Sequence, residues 1–195
     1  MGLANRIAVR LGARPAASLP GVDAPGTVLT GNPVRIEFRA LERVPSTPPL
    51  VAAAGGALGA GSINDAVLGL YDRWRARTDV AVHHVAGERN IDGVEARLRA
   101  AARPGDLLAF ELAGYEEHMD RLMARASVAV CRAGAGTVAE LAAAGLPAVL
   151  VPLPGAPSDH QARNAATLEG AGAAVTVLDH ECTAERLDAE LTGLL

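Results

Sequence analysis

From residue 50 onward, short apolar runs alternate with stretches of helical periodicity, and this rhythm constrains the fold more than any other feature. The runs are nearly continuous rather than alternating, which is typical of parallel strands buried on both faces. We predict strands over residues 50–54, 80–85, 107–112, 128–131, 148–151 and 174–178.

Helical patterns fill the intervals between these runs. In the first interval, Ile63, Val67 and Leu70 recur at helical spacing. Strands that alternate with helices imply right-handed crossovers, and therefore an α/β fold with a Rossmann-like, doubly wound parallel sheet. We predict helices over residues 62–76, 92–102, 116–125, 137–144, 160–170 and 183–194.

The beginning of the chain lacks this rhythm. Its first fourteen residues have the apolar face and the arginine face of a short helix, and residues 43–49 have the proline-rich texture of a linker. We predict one α/β domain over residues 48–195, preceded by a segment, residues 1–47, that does not form a complete domain.

Composition excludes several classes of protein. The chain of 195 residues has a net charge of -4 and contains no lysine, which argues against a nucleic-acid partner. Its two cysteines are far apart, so they predict neither a disulfide framework nor a metal site. An apolar run of ~18 residues, as a membrane span needs, is absent, and arginines interrupt any signal sequence. We expect a cytoplasmic protein.

Candidate functional residues follow the strands, because ligands of open α/β sheets bind beyond the carboxyl ends of the strands. Residues 55–61 form a glycine-rich loop after the first strand, and residues 132–137 form a second loop before a helix. Both loops could present backbone N–H groups to a phosphate. The second has an alternative interpretation, since Thr137 and Glu140 have the spacing of a helix-capping box.

A third loop, residues 152–161, contains three prolines and ends in the polar group Asp159, His160 and Gln161.

The sequence contains no motif typical of a metal site, a P-loop, a hydrolase or a dinucleotide-binding domain. His83 and His84 are adjacent in a strand and point to opposite faces, which does not make a metal pair. There is no Asp-x-Asp pair, no Walker lysine, no Gly-x-Ser-x-Gly elbow and no dinucleotide fingerprint.

Taken together, these segments resemble the MurG family of glycosyltransferases. Residues 31–35, Gly-Asn-Pro-Val-Arg, are similar to the motif between its two domains, and residues 55–60 are similar to its first glycine loop. Residues 131–140, Cys-Arg-Ala-Gly-Ala-Gly-Thr-Val-Ala-Glu, match its donor-binding signature. The Ala-Gly-Leu-Pro of residues 144–147 and the loop of residues 151–165 follow in the order of the family.

The resemblance implies a GT-B fold, in which two Rossmann-like domains face a cleft, and this chain would be the C-terminal half. The family transfers N-acetylglucosamine from its UDP sugar to lipid I, an undecaprenyl-pyrophosphoryl-muramoyl-pentapeptide, and so makes lipid II for peptidoglycan and the cell wall. The transfer inverts the anomeric centre and needs neither a cofactor nor a protein-bound metal.

The resemblance also assigns roles to residues of this chain. Arg35 would neutralise the diphosphate, Glu140 would hold the ribose, and the backbone of Glu116 would contact the uracil. His160 and Gln161 would contact the sugar hydroxyls. The full set of expected UDP-sugar-binding residues is Arg35, Ala57, Leu58, Glu116, Arg132, Ala135, Gly136, Thr137, Glu140, His160 and Gln161.

The chain departs from the family pattern at four positions. Ala57 replaces a serine of the glycine loop, and His160 stands where the family more often has a glutamine. Glu116 stands at a position that is usually apolar, and Ser127 replaces an aspartate. The resemblance also implies that the acceptor loops and the expected catalytic base belong to a missing N-terminal domain, and that the C-terminal domain is truncated at its end. Residues 1–47 would then be a remnant of that N-terminal domain with the interdomain linker.

Three interpretations remain open from the sequence. The chain could be a subunit whose partner protein supplies the acceptor domain, a split or truncated UDP-sugar-binding module without catalysis on its own, or a fragment of a longer enzyme. The arginine-rich opening helix could touch the inner membrane peripherally on its cytoplasmic face. Alternatively, it could be the stub of the last helix of the missing domain.

Overall fold

The computed structural model of the protein describes residues 2–19, 24–56, 58–156 and 159–195. Before residue 48, the described residues form two short helices and one pair of two-residue parallel strands: α1 (Leu3–Arg10), β1 (Ala16–Ala17), β2 (Val28–Leu29) and α2 (Ile36–Arg39).

The remainder of the chain alternates strands and helices. In chain order it contains β3 (Leu50–Ala54), α3 (Gly61–Trp74), β4 (Ala81–Val85), α4 (Ile91–Ala101), β5 (Ala109–Ala113), α5 (Met119–Arg125), β6 (Val128–Cys131), α6 (Ala135–Ala144), β7 (Ala148–Leu150), α7 (His160–Gly170), β8 (Ala174–Thr176), a 3-10 turn (Asp179–Glu181) and α8 (Ala184–Leu194).

The strands β3 to β8 form one parallel sheet in the order β5-β4-β3-β6-β7-β8. The first half of the domain therefore adds β4 and β5 on one side of β3, and the second half adds β7 and β8 on the opposite side of β6. This confirms the predicted α/β, Rossmann-like doubly wound fold. The topological switch point lies between β3 and β6, whose carboxyl ends diverge into separate loops, and ligands of such sheets bind there.

Both faces of the sheet are buried, as the continuous apolar runs predicted. In β3, Val51 and Ala53 pack on one face against α3 and α8, while Leu50 and Ala52 pack on the other against α5, α6 and α7. Each fully buried Leu or Val side chain stabilises the fold by ~1.5–3 kcal/mol relative to an exposed one.

The helix α6 begins two residues before the predicted start. Its N-cap is Gly134, which has no side chain to accept a hydrogen bond from the helix, and its first turn is formed by residues 135–137. The alternative interpretation of Thr137 and Glu140 as a capping box is therefore wrong, because Thr137 already lies inside the helix. At the other end Gly145 adopts a left-handed φ of 60°, which terminates the helix.

The residues before β3 are attached to the sheet domain. The ring of Phe38 in α2 is only 1% exposed and packs in the core on the α5–α7 face. Arg43 donates hydrogen bonds of 2.7 Å to the carbonyl oxygens of Gly145 and Ala126. The amides of Val44 and Ser46 donate to carbonyl oxygens at the end of α5. The proline-rich stretch predicted as a linker thus runs along α5 through specific contacts.

The helix α1 contributes no buried residue, and Leu3, Ile7 and Leu11 are exposed. Within the described ranges, every helix is too short or too polar to cross a membrane.

Candidate functional site

A cavity of about 210 Å³ opens at the switch point of the sheet, on the face that α5 and α6 cover. Its floor consists of small residues near the carboxyl ends of β3 and β6, including Ala54 and Cys131. Its walls come from the turn after β5, from α5, from the first turn of α6 and from Arg35 of the N-terminal segment. The fold therefore places this cavity where an α/β sheet binds ligands.

The N-terminus of α6 adjoins this region, and within the described residues the first amides of the helix have no intrahelical acceptor. The first intrahelical hydrogen bond runs from the amide of Val138 to the carbonyl oxygen of Gly134, over 2.9 Å. The amides of residues 135–137 precede that bond and project from the helix end, where the helix dipole favours an anion. Thr137 lines the cavity directly, and Gly136 leaves open space around its α-carbon. This end of α6 is suited to a phosphate group.

An ion pair stands at the mouth of the cavity. The Nε of Arg35 donates a hydrogen bond of 2.8 Å to Oε1 of Glu140, and the two side chains are 51% and 17% exposed. The guanidinium also lies over the ring of Phe38, with 5.0 Å from its central carbon to the ring centroid. Because Phe38 is anchored in the core, this contact fixes the start of α2 and brings a positive charge close to α6.

The glycine loop after β3 is shaped by close backbone approach. Gly59 has φ 75°, and a Cβ at this position would overlap the carbonyl oxygen of Ala86 after β4. The carbonyl oxygen of Leu58 accepts a 2.9 Å hydrogen bond from the side-chain amide of Asn90, while the side chain of Leu58 is exposed. Gly56 lines the cavity. The expected site residue Ala57 lies outside the described residues.

Arg132 follows β6, and its guanidinium holds several parts of the carboxyl edge together. Nη1 donates to Oδ1 of Asp179 over 2.5 Å and to the carbonyl oxygens of Val151 and Pro152, and Nη2 donates to the hydroxyl of Ser62 over 3.2 Å. Burial would raise the pKa of Asp179, but the hydrogen bonds from Ser62 and Arg132 lower it below its ordinary value. Arg132 lines the cavity, while its charge is paired within the protein.

The turn between β5 and α5 forms one wall of the cavity. Glu116 lines the cavity, its Oε1 accepts from the amide of His118 over 2.9 Å, and its Oε2 lies 3.4 Å from Nε2 of the buried His83. The side chain of Glu116 is thus directed along the turn. The neighbouring Tyr115 and Met119 complete this wall.

His160 and Gln161 begin α7, after Asp159 in a left-handed conformation of φ 55°. The Oε1 of Gln161 accepts a 2.9 Å hydrogen bond from the amide of Leu153, and this bond braces the proline-rich loop. Both residues lie apart from the lining of the switch-point cavity.

The structure therefore gathers part of the expected set around one cavity. Of the residues that the resemblance assigned, those that line it are Arg35, Glu116, Arg132, Thr137 and Glu140. Ala135 and Gly136 lie in the adjoining first turn of α6, and Leu58, His160 and Gln161 are not among the residues that line the cavity.

The sequence-based reasoning missed the apolar wall that α5 contributes, formed by Met119, Leu122 and Met123. The helical periodicity of α5 carried the signal, since these residues share its inner face. It also missed Cys131 on the floor, whose burial raises the pKa of its thiol to about 12 and keeps it protonated. In the part of the chain that the structure describes, no three His, Cys, Asp or Glu side chains converge as metal ligands would.

The six-stranded parallel sheet and the cavity at its switch point define the class of protein as a Rossmann-like α/β domain with a site suited to an anion. Residues 50–195 match the model of the glycosyltransferase family 28 C-terminal domain, and the chain belongs to that family.

Curated relatives extend the similarity to nearly the whole chain. Proteins of Aeromonas hydrophila and Cupriavidus metallidurans are 40% and 38% identical to it, each match covering 99% of this chain. Both are named UDP-N-acetylglucosamine–N-acetylmuramyl-(pentapeptide) pyrophosphoryl-undecaprenol N-acetylglucosamine transferase. The matches cover 54% of the Cupriavidus protein and 53% of the Aeromonas protein, so the chain spans about half the length of these relatives.

A solved structure, the crystal structure of Acinetobacter baumannii MurG, superposes on the whole chain with a TM-score of 0.79 and 26% sequence identity. The superposition covers 55% of that protein. The fold is thus similar to one half of a MurG glycosyltransferase.

Proposed function

We propose that this chain is the donor-binding half of an N-acetylglucosaminyltransferase of the MurG type, which holds UDP-N-acetylglucosamine for transfer to lipid I. The observation that carries the proposal is the meeting, at one cavity, of the N-terminus of α6 with the Arg35–Glu140 pair. A helix N-terminus and a guanidinium suit a diphosphate, and a fixed carboxylate suits a sugar diol.

The diphosphate is proposed to lie across the first turn of α6. The amides of residues 135–137 donate to its oxygens, the hydroxyl of Thr137 adds a further donor, and Arg35 approaches from the opposite side. Because Nε of Arg35 is the atom bonded to Glu140, we propose that the two terminal nitrogens of the guanidinium bind the phosphate oxygens.

The ribose and the uracil are proposed to extend along the cavity from the diphosphate. Arg35 holds the Glu140 carboxylate in one orientation, which allows it to accept hydrogen bonds from the two ribose hydroxyls. The base then reaches the turn after β5, where the backbone of Glu116 contacts its polar edge and Met119 and Met123 cover its ring. Leu58, His160 and Gln161 are proposed to contact the outer part of the donor.

The proposed reaction needs this arrangement when UDP departs. The acceptor hydroxyl forms a bond to the anomeric carbon of N-acetylglucosamine, the bond from that carbon to the diphosphate oxygen breaks, and the electron pair leaves with UDP. The N-terminus of α6 and Arg35 stabilise the negative charge that develops on the diphosphate. A base must take the proton of the acceptor hydroxyl, and we propose that it belongs to the acceptor-binding half.

That half is proposed to reside in a partner protein or in another domain, because the chain spans about half the length of its relatives. We propose that residues 48–195 are the donor domain and that residues 1–47 connect it to the acceptor half. The exposed apolar residues of α1, with Arg6 and Arg10, would face that half or the cytoplasmic surface of the membrane. A cytoplasmic or peripheral location follows from this proposal.

The second candidate is a UDP-sugar-binding module that has no catalytic activity on its own. It is favoured by the same coverage of about half of each relative. Incubation of the chain with labelled donor and lipid I, with and without an acceptor-binding half, separates the two. Activity only upon addition of the acceptor-binding half would support the first candidate, and binding without transfer in either mixture would support the second.

The donor proposal is tested by calorimetric titration of the full chain with UDP-N-acetylglucosamine, UDP and GDP. We expect saturable binding that prefers the uridine ligands, and a loss of about tenfold or more in affinity in Glu140→Ala, since charge-assisted hydrogen bonds are lost. Glu37→Ala, which removes an exposed carboxylate from α2, is the matched control and should bind as the parent does. Equal affinity for GDP and UDP would contradict the uridine assignment, and no binding by the folded chain would refute the donor proposal.

A further inference from the structure

The side chain of Asn32 joins the segment of residues 31–35 to the first turn of α6. Its amide nitrogen Nδ2 donates a 3.1 Å hydrogen bond to the carbonyl oxygen of Ala135, a residue 103 positions away in the chain. Its amide oxygen accepts a 3.3 Å hydrogen bond from the hydroxyl of Ser18, which follows β1. The bond from Ser18 to the amide oxygen leaves the amide nitrogen to face α6. One side chain therefore connects three distant parts of the chain.

Three residues later, Arg35 makes a second attachment to the same helix. Its Nε donates a 2.8 Å hydrogen bond to Oε1 of Glu140. Three residues of extended chain span ~10 Å, and five helical residues rise ~7.5 Å, so the stretch from Asn32 to Arg35 matches the stretch of α6 from Ala135 to Glu140. The segment is thus attached to α6 at both of its ends.

The backbone between the two attachments has little conformational freedom. Pro33 fixes its own φ, and the residue before a proline is restricted to extended conformations. Gly31 turns the chain into this stretch with a φ of 73°, and Phe38, only 1% exposed, anchors the chain beyond it in the core. A displacement at Asn32 is therefore transmitted to Arg35 rather than absorbed between them.

Arg35 needs such support because its own ion pair is open to solvent. Its side chain is 51% exposed, and an ion pair at such a position contributes little by itself. Without the bond from Asn32, the segment can move away from α6 and carry the guanidinium off the mouth of the cavity. Val34 packs against the core within the segment, so we expect this loss of position to be moderate rather than complete.

We propose that Asn32 is a positioning residue for donor binding: its amide fastens residues 32–35 to the first turn of α6 and so holds the guanidinium of Arg35 where the diphosphate binds. This inference rests on the proposed donor function. It gives the hydrogen bond between Asn32 and Ala135 a role in donor affinity, although Asn32 is not among the residues that line the cavity.

The first test observes Arg35 directly and needs no ligand. NMR of the isotope-labelled full chain at constant pH measures how fast the Nε–H proton of Arg35 exchanges with solvent, and Arg35→Lys identifies the signal by removing it. We expect Asn32→Ala to speed this exchange about threefold or more, because the bond to Glu140 opens more often. The Nε–H of Arg186, which donates to Glu190 over 2.7 Å from a side chain of similar exposure, is the internal control and should exchange at the parent rate.

The second test asks whether the effect reaches the donor. In calorimetric titration, Asn32→Ala should bind UDP-N-acetylglucosamine about threefold to tenfold more weakly than the parent, as expected for the loss of one hydrogen bond. In an Arg35→Ala background the same substitution should change the affinity by less than about twofold, because the group that Asn32 positions is gone. Asn5→Ala, which removes an exposed asparagine amide from α1, is the matched control and should bind as the parent does.

The outcomes distinguish this inference from the donor proposal. Unchanged exchange at Arg35 in Asn32→Ala, unchanged donor affinity of that variant, or an equal loss of affinity with and without the Arg35 side chain would each overturn the role of Asn32 and leave the donor site intact. Absence of binding by the folded parent would overturn the donor proposal, and this inference with it.

The design also covers variants that behave poorly. If Arg35→Ala binds too weakly for titration, the exchange rate and the affinity of Asn32→Ala alone decide the role of Asn32. If Asn32→Ala does not fold, Asn32→Ser takes its place, because it also removes the amide but keeps a polar side chain at this partly buried position. Faster exchange at Arg35 together with weaker donor binding is the expected result.

Discussion

The guanidinium of Arg132 donates hydrogen bonds to four partners at the carboxyl edge of the sheet. It joins the loop after β6 to Asp179 of the 3-10 turn, to Ser62 at the start of α3 and to two carbonyl oxygens after β7. Its side chain is mostly buried. Removal of one partner of such a pair leaves the other charge uncompensated. We therefore expect Arg132 to act first as a tether of these loops and only indirectly on a ligand.

Arg132→Met should lower the free energy of unfolding by about 1–3 kcal/mol, the range for a largely buried pair discounted for its partial exposure. The measurement is urea unfolding followed by circular dichroism. Arg97→Met, which breaks an exposed ion pair with Asp65, is the control and should change stability by less than about 0.5 kcal/mol.

Two further measurements check this tether: the stability of a double variant and the donor affinity of Arg132→Met. The double variant Arg132→Met/Asp179→Asn should be less destabilised than the sum of the two single variants, because they remove the same interaction. Unchanged stability of Arg132→Met, together with a large loss of donor affinity, would contradict the tether and favour the direct ligand contact that the family resemblance implies.

At the scale of elements, the loops after β3 and β4 touch through two glycines. Gly59 and Gly87 both have positive φ, and a Cβ on either would overlap the backbone of the other loop. Gly59→Ala should destabilise the fold by about 1–3 kcal/mol from its left-handed backbone alone, and the overlap with Ala86 adds to this. Thermal unfolding measures the effect.

A matched control is available in α4. Gly93 is an exposed helical glycine with open space around its α-carbon, so Gly93→Ala should stabilise the protein by about 0.5–1 kcal/mol. Equal effects of the two substitutions would show that the contact between the glycine loops is not constrained as the structure indicates.

Most elements of the sheet domain could be predicted from the sequence, because near-continuous apolar runs mark buried parallel strands strongly. Strands β3 and β6 have the predicted limits, while α5 begins three residues late and α6 two residues early. The elements that were missed are α2, the 3-10 turn and the pair β1–β2, which have two to four residues each. Such short elements depend on contacts with distant parts of the chain rather than on a periodic pattern.

The site was less accessible to sequence reasoning for the same physical reason. Motif positions could suggest Arg35 and Glu140 separately, but their ion pair joins residues 105 positions apart. Likewise, the pairing of His83 with Glu116 depends on the register of β4 with β5 and on the turn that follows. No local pattern encodes such contacts, since they arise only when the strands are assembled.

At the scale of the whole molecule, one buried histidine couples the core to pH. His84 is fully buried, its Nε2 lies 2.9 Å from Oδ1 of Asn64, and its ring packs edge-on to Phe110. Burial, and to a smaller extent the charge of His83, lowers the pKa of His84 from 6.5 to about 4. Between these values the unfolded chain binds a proton that the folded chain does not, so stability decreases as the pH falls from about 6.5 to about 4.

The full effect on the free energy of unfolding is about 3 kcal/mol, since each pKa unit corresponds to ~1.4 kcal/mol. The carboxylates with lowered pKa values, Asp79, Asp106, Asp179 and Glu111, act in the same direction but mainly below the ordinary carboxylate range, so the window above about pH 5 isolates the histidine. Urea unfolding of the parent chain and of His84→Gln at pH 7 and pH 5 measures it. We expect the parent to lose more stability than the variant over that interval, and His180→Gln to behave as the parent does. Equal losses in the parent and in His84→Gln would mean that His84 accepts its proton in the folded core, and the amide of Asn64 and the edge of Phe110 would then have to accommodate an imidazolium.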